Sequence, residues 1–201
     1  MINQNLIDQA WDYQGYISML DDLLAAGKTT GSDQSESMMG YARLNQKRMR
    51  KWHKIAKLTP ELESVAAQIK APITWLILTE GWCGDAAQCL PFINKIAELS
   101  PFIKVRLILR DENLELMDQY LTDGGRGIPK LICLDKDLNE IGIWGPRPRP
   151  MQDLLLENKR TQAKTYDQLS EEMHLWYAKD RGHTLQQEFV KLLKDWNQKL
   201  N

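Results

Sequence analysis

Residues 73–78 (Ile-Thr-Trp-Leu-Ile-Leu) form a short, almost unbroken apolar run, and soon after it Cys83 opens a helical pattern that continues to about Leu99. A run of strand length that hands over directly to a helix predicts a buried strand in a partly parallel sheet. No other feature restricts the fold as much. A second run of this kind spans Ile103 to Leu109, and two strands joined by a helical crossover should lie parallel. Leu114 to Leu121 reads as a short helix ending in Thr-Asp-Gly-Gly, and Ile128 to Leu134 reads as a third strand. Asp135-Lys136-Asp137-Leu138-Asn139 then makes a hairpin turn into a last strand, Glu140 to Trp144. The middle of the chain therefore reads β-α-β-α-β-β-α: an α/β protein with a mixed sheet of about four strands flanked by helices.

Both ends are helical in pattern. Leu6, Ile7, Ala10, Trp11, Ile17, Leu20, Leu23 and Leu24 recur at the spacing of one helix face. Glu36 to Lys57 predicts a second helix, with Met49 and Trp52 on its apolar side and Lys47, Arg48, Arg50, Lys51, His53 and Lys54 on a solvated one. Thr59-Pro60-Glu61 has the hydroxyl, proline and acid of a helix start, and this helix should end near Lys70. From Met151 onward the pattern is helical again. One compact domain is expected, with a helical extension over residues 1–70, a core over 71–165 and a C-terminal extension over 166–201. The Gly27-Lys28-Thr29 triplet resembles part of a phosphate-binding loop, but Asp22 stands where that loop needs its first glycine and no strand precedes it.

A formal net charge of -1 argues against bulk attraction to nucleic acid or an anionic membrane. The N-terminus has no basic region followed by an apolar stretch, and no apolar run is long enough to cross a bilayer. Three cysteines, Cys83, Cys89 and Cys133, are too few and too odd in number for a disulfide framework, which points to a reducing, cytoplasmic setting. His53, His174 and His183 are dispersed without metal-ligand spacing, so neither a metal nor another cofactor is expected.

The chemistry centres on Glu80-Gly81-Trp82-Cys83-Gly84-Asp85-Ala86. A thiol at a helix start meets unpaired backbone N–H groups and the positive end of the helix dipole, which favour thiolate and lower its pKa. Trp82 is placed to cover the sulfur. Asp85 has three readings: it caps the helix, holds a proton-relaying water, or opposes thiolate formation by like charge. Cys89 lies six residues along the same helix, a rise of about 9 Å, against the roughly 4.4–6.8 Å between Cα atoms that a disulfide spans. It could resolve a disulfide on Cys83 only if the helix start unwound. Cys133, inside an apolar strand, reads as packing.

Trp82-Cys83-Gly84 at a helix start, together with Gly127-Ile128-Pro129 leading into a strand, resembles the thioredoxin superfamily over roughly residues 71 to 165. More narrowly, the chain resembles bacterial thioredoxin-like proteins of uncharacterised activity that carry Trp-Cys-Gly-Asp-Ala at this position. The resemblance implies a thioredoxin fold, with Pro129 cis beside Cys83 and Ile128 next to it where substrate backbones dock. It also implies that the loop carrying Arg126 borders the thiol, so that Arg126 could stabilise the Cys83 thiolate or an anionic partner such as the carboxylates of glutathione. Arg147 and Arg149, between prolines, read instead as a surface linker. The chain departs from thioredoxins at Ala86, which stands where their second cysteine would be. The expectation is a monothiol redox protein in which Cys83 exchanges with protein or low-molecular-weight disulfides and an external thiol resolves the product. Two alternatives stay open: a non-catalytic interaction module, and a glutathione-assisted iron–sulfur carrier.

Overall fold

The chain enters through two helices, α1 (Gln4–Gln9) and α2 (Tyr13–Ala25), followed by α3 (Glu36–Ile55) and α4 (Pro60–Ala66). These lead into β1 (Ile73–Thr79), α5 (Gly84–Ala97), β2 (Ile103–Leu109) and α6 (Leu114–Met117). The chain continues through β3 (Lys130–Leu134), β4 (Glu140–Trp144), α7 (Arg149–Thr161), α8 (Tyr166–Asp180) and α9 (His183–Leu200). This computed structural model describes residues 2–200.

The helix starts follow from local chemistry. Ser35 and Thr59 each turn a hydroxyl onto a first-turn backbone N–H, and Pro60 occupies the first helical position of α4. Several boundaries differ from the sequence reading. The helix expected to reach Lys70 stops at Ala66, and α6 has four residues because Gln119 and Tyr120 bond back three residues, to Leu116 and Met117. The third strand starts at Lys130 because Pro129, joined to Ile128 by a cis peptide bond, has no N–H for the ladder.

The sheet order is β2-β1-β3-β4. β1 pairs parallel with β2, Ile73 opposite Ile103, and antiparallel with β3, Trp75 opposite Cys133. β3 and β4 form the hairpin. The central strand β1 is buried along nearly its whole length, as its apolar run requires.

The helices before β1 and after α7 share one core with the sheet. Tyr16 and Leu20 of α2, Met49 and Trp52 of α3, and Phe189 and Trp196 of α9 are all buried in it. Trp75 meets Phe189 at 5.5 Å and Trp196 at 6.1 Å between ring centroids, both edge-on. Gly142 of β4 permits this, since a Cβ there would lie 2.0 Å from Trp196 Nε1. The segment after Gly27 supports the turn before α5, since Thr30 is buried and its Oγ1 accepts the backbone N–H of Gly81 at 2.9 Å.

Candidate functional site

β1 ends at Thr79, and the tight turn of Glu80 to Trp82 delivers Cys83 to the N-cap position of α5. The Cys83 sulfur accepts the N–H of Ala86 at 3.4 Å and donates its proton to the Ile128 carbonyl at 3.2 Å. Ile128 is joined to Pro129 by the cis peptide bond, so Cys83, Ile128 and Pro129 meet although far apart in sequence. Trp82 is half-buried, with the Arg110 guanidinium 4.8 Å from its ring centroid. Gly84 lets α8 approach, because a Cβ at this position would lie 2.9 Å from Cε1 of His174.

The electrostatics run against the expectation of a lowered pKa. Cys83 is 8% exposed. Burial first, and the Asp85 charge second, push its thiol up to about 12. The N–H groups of Ala86 and Asp85 and the Arg147 cation pull the other way and are outweighed. The helix start is real, but its benefit to thiolate is smaller than the cost of leaving water. Among the three readings of Asp85, opposition by like charge is the one with a visible consequence.

Asp85 itself is firmly held. Its Oδ2 accepts Nε and Nη2 of Arg147 at 2.9 and 2.8 Å, with both side chains 12% exposed. Its Oδ1 accepts the Tyr177 hydroxyl at 2.6 Å. Arg147 also donates Nη1 to Gln152 Oε1 at 2.5 Å. The reading of Arg147 as surface linker is thus corrected: the prolines on either side fix the backbone so that this arginine turns inward onto α5. Arg149 does stay on the surface, paired with Asp153.

Arg126 is not brought to the thiol. Its guanidinium is 46% exposed and forms a two-point pair with Asp118, at 2.6 and 2.8 Å. Cys89 is fully buried one and a half turns along an unbroken α5, its Sγ 3.9 Å from the Tyr177 hydroxyl, and burial and Asp85 hold its thiol well above the usual range. Cys133 is buried on β3, and burial raises its thiol too. All three cysteines are free. Among the described residues no cluster of three or more histidine, cysteine or acidic side chains could hold a metal.

Sequence reasoning missed Tyr177, His174 and Gln88. Trp52 Nε1 donates to Gln88 Oε1 at 2.5 Å, and Gln88 Nε2 lies 3.3 Å from His174 Nδ1. These contacts join residues far apart in the chain, and nothing local to any of them announces the meeting.

Two solved structures share the fold. An HIV epitope-scaffold is 18% identical, and a protein of unknown function from Pseudomonas aeruginosa is 17% identical; each has a TM-score of 0.61 over 96% of this chain and 98% of its own. No curated protein matches the sequence. A family model described as Thioredoxin matches residues 31–173. That match covers well over half of the sequence and includes α3, the sheet, the Cys83 turn and the cis-Pro129 loop, so the chain belongs to the thioredoxin family.

Proposed function

We propose that the protein is a cytoplasmic monothiol redox protein in which Cys83 exchanges with protein or low-molecular-weight disulfides, and an external thiol rather than Cys89 completes the cycle. The observation that carries this reading is the contact between the Cys83 sulfur, the Ala86 N–H and the carbonyl before cis-Pro129. That contact sets the sulfur beside a backbone acceptor and leaves Ala86 where a second thiol would be needed. In this reading the thiol rests protonated and reacts through a small thiolate fraction, so exchange is slow at neutral pH and selective for what binds beside it.

The test is intact-mass spectrometry after incubation with hydroxyethyl disulfide. A single adduct on Cys83, absent from Cys83→Ser and released by added thiol, is expected; no adduct, or a Cys83–Cys89 bridge in its place, sinks the reading.

The burial of Cys83 and its raised pKa favour a second reading, a thioredoxin-fold interaction module without chemistry. There, Cys83→Ser should keep every partner in a pull-down.

A further inference from the structure

The helix α8 carries Tyr166, Leu169, Ser170, Met173 and His174 at the spacing of one helix face. That face, Leu155 of α7, and Gly84 and Asp85 at the start of α5 enclose a cleft of about 160 Å³. Leu155, Leu169 and Met173 give it an apolar wall, and Tyr166 stands beside them 71% exposed. A space of roughly 150 Å³ with apolar walls holds one benzene ring, and a methionine sulfur is favourable at a ring edge. The cleft is therefore the size of one aromatic side chain.

Its polar groups are donors without partners. Arg147, which also lines the cleft, spends three of its five N–H bonds on Asp85 and Gln152 and keeps two. The Ser170 hydroxyl has no hydrogen bond among the described residues. An indole only donates, so Gln88 turns its oxygen to Trp52 and its NH2 to His174 Nδ1. Nδ1 thus accepts. Burial and the nearby Arg48 lower the His174 pKa to about 4, and the neutral ring carries its proton on Nε2, on the edge that meets Gly84. Such donors around an apolar wall suit the carbonyls of a peptide backbone on either side of a ring.

Covalent geometry ties the cleft to the thiol. Gly84 follows Cys83, with its Cα about 3.8 Å from that of Cys83. A mixed disulfide holds the partner's cysteine with its Cα about 4.4–6.8 Å from that of Cys83, and the residues beside that cysteine lie one further step of about 3.8 Å away. A long side chain on such a residue is within reach of Gly84. Charge is felt across the same distance: beyond burial, Asp85 raises and Arg147 lowers the Cys83 pKa, and burial, Tyr41 and the Cys83 charge raise the Tyr166 phenol. We infer that the disulfides taken by Cys83 are those of polypeptides, and that an aromatic side chain next to the partner's cysteine sits in this cleft. This rests on the monothiol reading above. The Cys83 thiol gives its proton to solvent, and its thiolate attacks the peptide sulfur of a disulfide peptide–S–S–R. That S–S bond breaks, the bond from Cys83 to the peptide sulfur forms, and RS⁻ leaves and takes a proton from water. Cys83 is oxidised to the mixed disulfide and R is reduced to a thiol. The thiolate of a low-molecular-weight thiol then attacks the peptide sulfur, forms a new disulfide with it and returns the Cys83 thiolate.

The experiment measures second-order rates of peptide adduct formation on Cys83 by intact-mass spectrometry. The reagents are the capped tripeptides Phe-Cys-Gly, Gly-Cys-Phe and Gly-Cys-Gly, each as its mixed disulfide with mercaptoethanol. Each rate is divided by that of a free cysteine peptide with the same reagent. In wild type one of the two phenylalanine peptides should exceed the glycine peptide by about tenfold, less than full burial of a ring provides. Ser170→Phe fills the cleft with a ring of its own and should bring that ratio to within about twofold of one, while Tyr166→Ala removes the exposed aromatic wall and should lower it by about threefold. Leu175→Ala, which truncates an exposed leucine of the same helix outside the cleft, should leave the ratio as it is. A wild-type ratio near one in both orders overturns the inference, as does a ratio that survives Ser170→Phe with its helical circular dichroism intact. If that variant unfolds, an unchanged ratio in Tyr166→Ala overturns it instead. In these cases labelling of Cys83 by hydroxyethyl disulfide leaves the monothiol reading standing; failure of every disulfide to react overturns both.

Discussion

The two sides of Cys83 are built in different ways. On one side are β1, the turn into α5 and the cis-Pro129 loop, which hold the sulfur at a helix start against the Ile128 carbonyl. On the other are side chains of α3, α8 and the Pro146–Pro148 loop, which surround the first turn of α5 with Asp85–Arg147, Tyr177 and His174. On the first side the helix start favours thiolate, while the Ile128 carbonyl, as an acceptor, holds the proton on the sulfur. The second buries that thiol and leaves a carboxylate beside it, and the net result is a pKa pushed up rather than down. Position in a fold therefore does not settle reactivity; the groups that close over the position do.

The scaffold side is where the largest effect is expected. Trp196 is buried in α9 and packs edge-on against both Trp75 and Phe189. Trp196→Ala removes a large aromatic from the centre of the core and should destabilise the protein by about 3–5 kcal/mol, read as a lower midpoint in urea unfolding. Gly142, which yields its Cβ space to that indole, cannot move in to fill the cavity without a side chain. A loss below about 1 kcal/mol would mean that α9 is peripheral to the sheet, and the contrast between the two sides would lose its rigid half.

The covering side is tested through charge. Asp85→Asn keeps the shape of the side chain and removes the like charge that raises Cys83, while Arg147, freed of its counter-ion, acts in the same direction. Both changes favour thiolate, so the pKa of Cys83 should fall. Below both pKa values the alkylation rate follows the thiolate fraction, which rises tenfold for each unit of fall. Iodoacetamide labelling should therefore have a midpoint well above that of an ordinary thiol, near 8.5, in wild type, and should be about tenfold faster at pH 8 in the variant. An unchanged rate would show that burial alone sets the pKa and that Asp85 has only a structural role. The variant also leaves a buried arginine unpaired, so its stability should be measured beside its rate.

The same division explains what the sequence could show. The strands, the hairpin and the start of α5 are written in contiguous patterns: the run from Ile73, the Thr59-Pro60 cap and the turn at Asp135 each act over a few residues. Cys83, Ile128 and Pro129 were legible because two short motifs carry a resemblance to thioredoxins, and that resemblance implies the contact between them. Arg147 was misread because proline flanks describe how stiff a segment is and say nothing of which way it faces. His174 and Tyr177 had no local mark at all, since helical spacing shows which face of α8 is apolar but not that its polar groups meet α5. The sign of the Cys83 shift was beyond reach for the same reason: dipole and charge are local, and burial is a property of the whole fold.

The smallest expected effect concerns the arginine that the sequence singled out. Arg126 is nearly half exposed and already paired with Asp118, itself exposed, so its charge is screened by water and spent on a surface partner. Arg126→Ala should leave the urea-unfolding midpoint essentially unchanged and leave the pH midpoint of Cys83 labelling where it is. Arg147 differs on each count: its side chain is only 12% exposed, it meets Asp85 through two nitrogens, and it acts on the thiol directly. If Arg126→Ala moved the labelling midpoint, the Arg126 guanidinium would have to leave Asp118 and reach the sulfur in solution, and the boundary between the two sides of Cys83 would lie elsewhere than at Asp85.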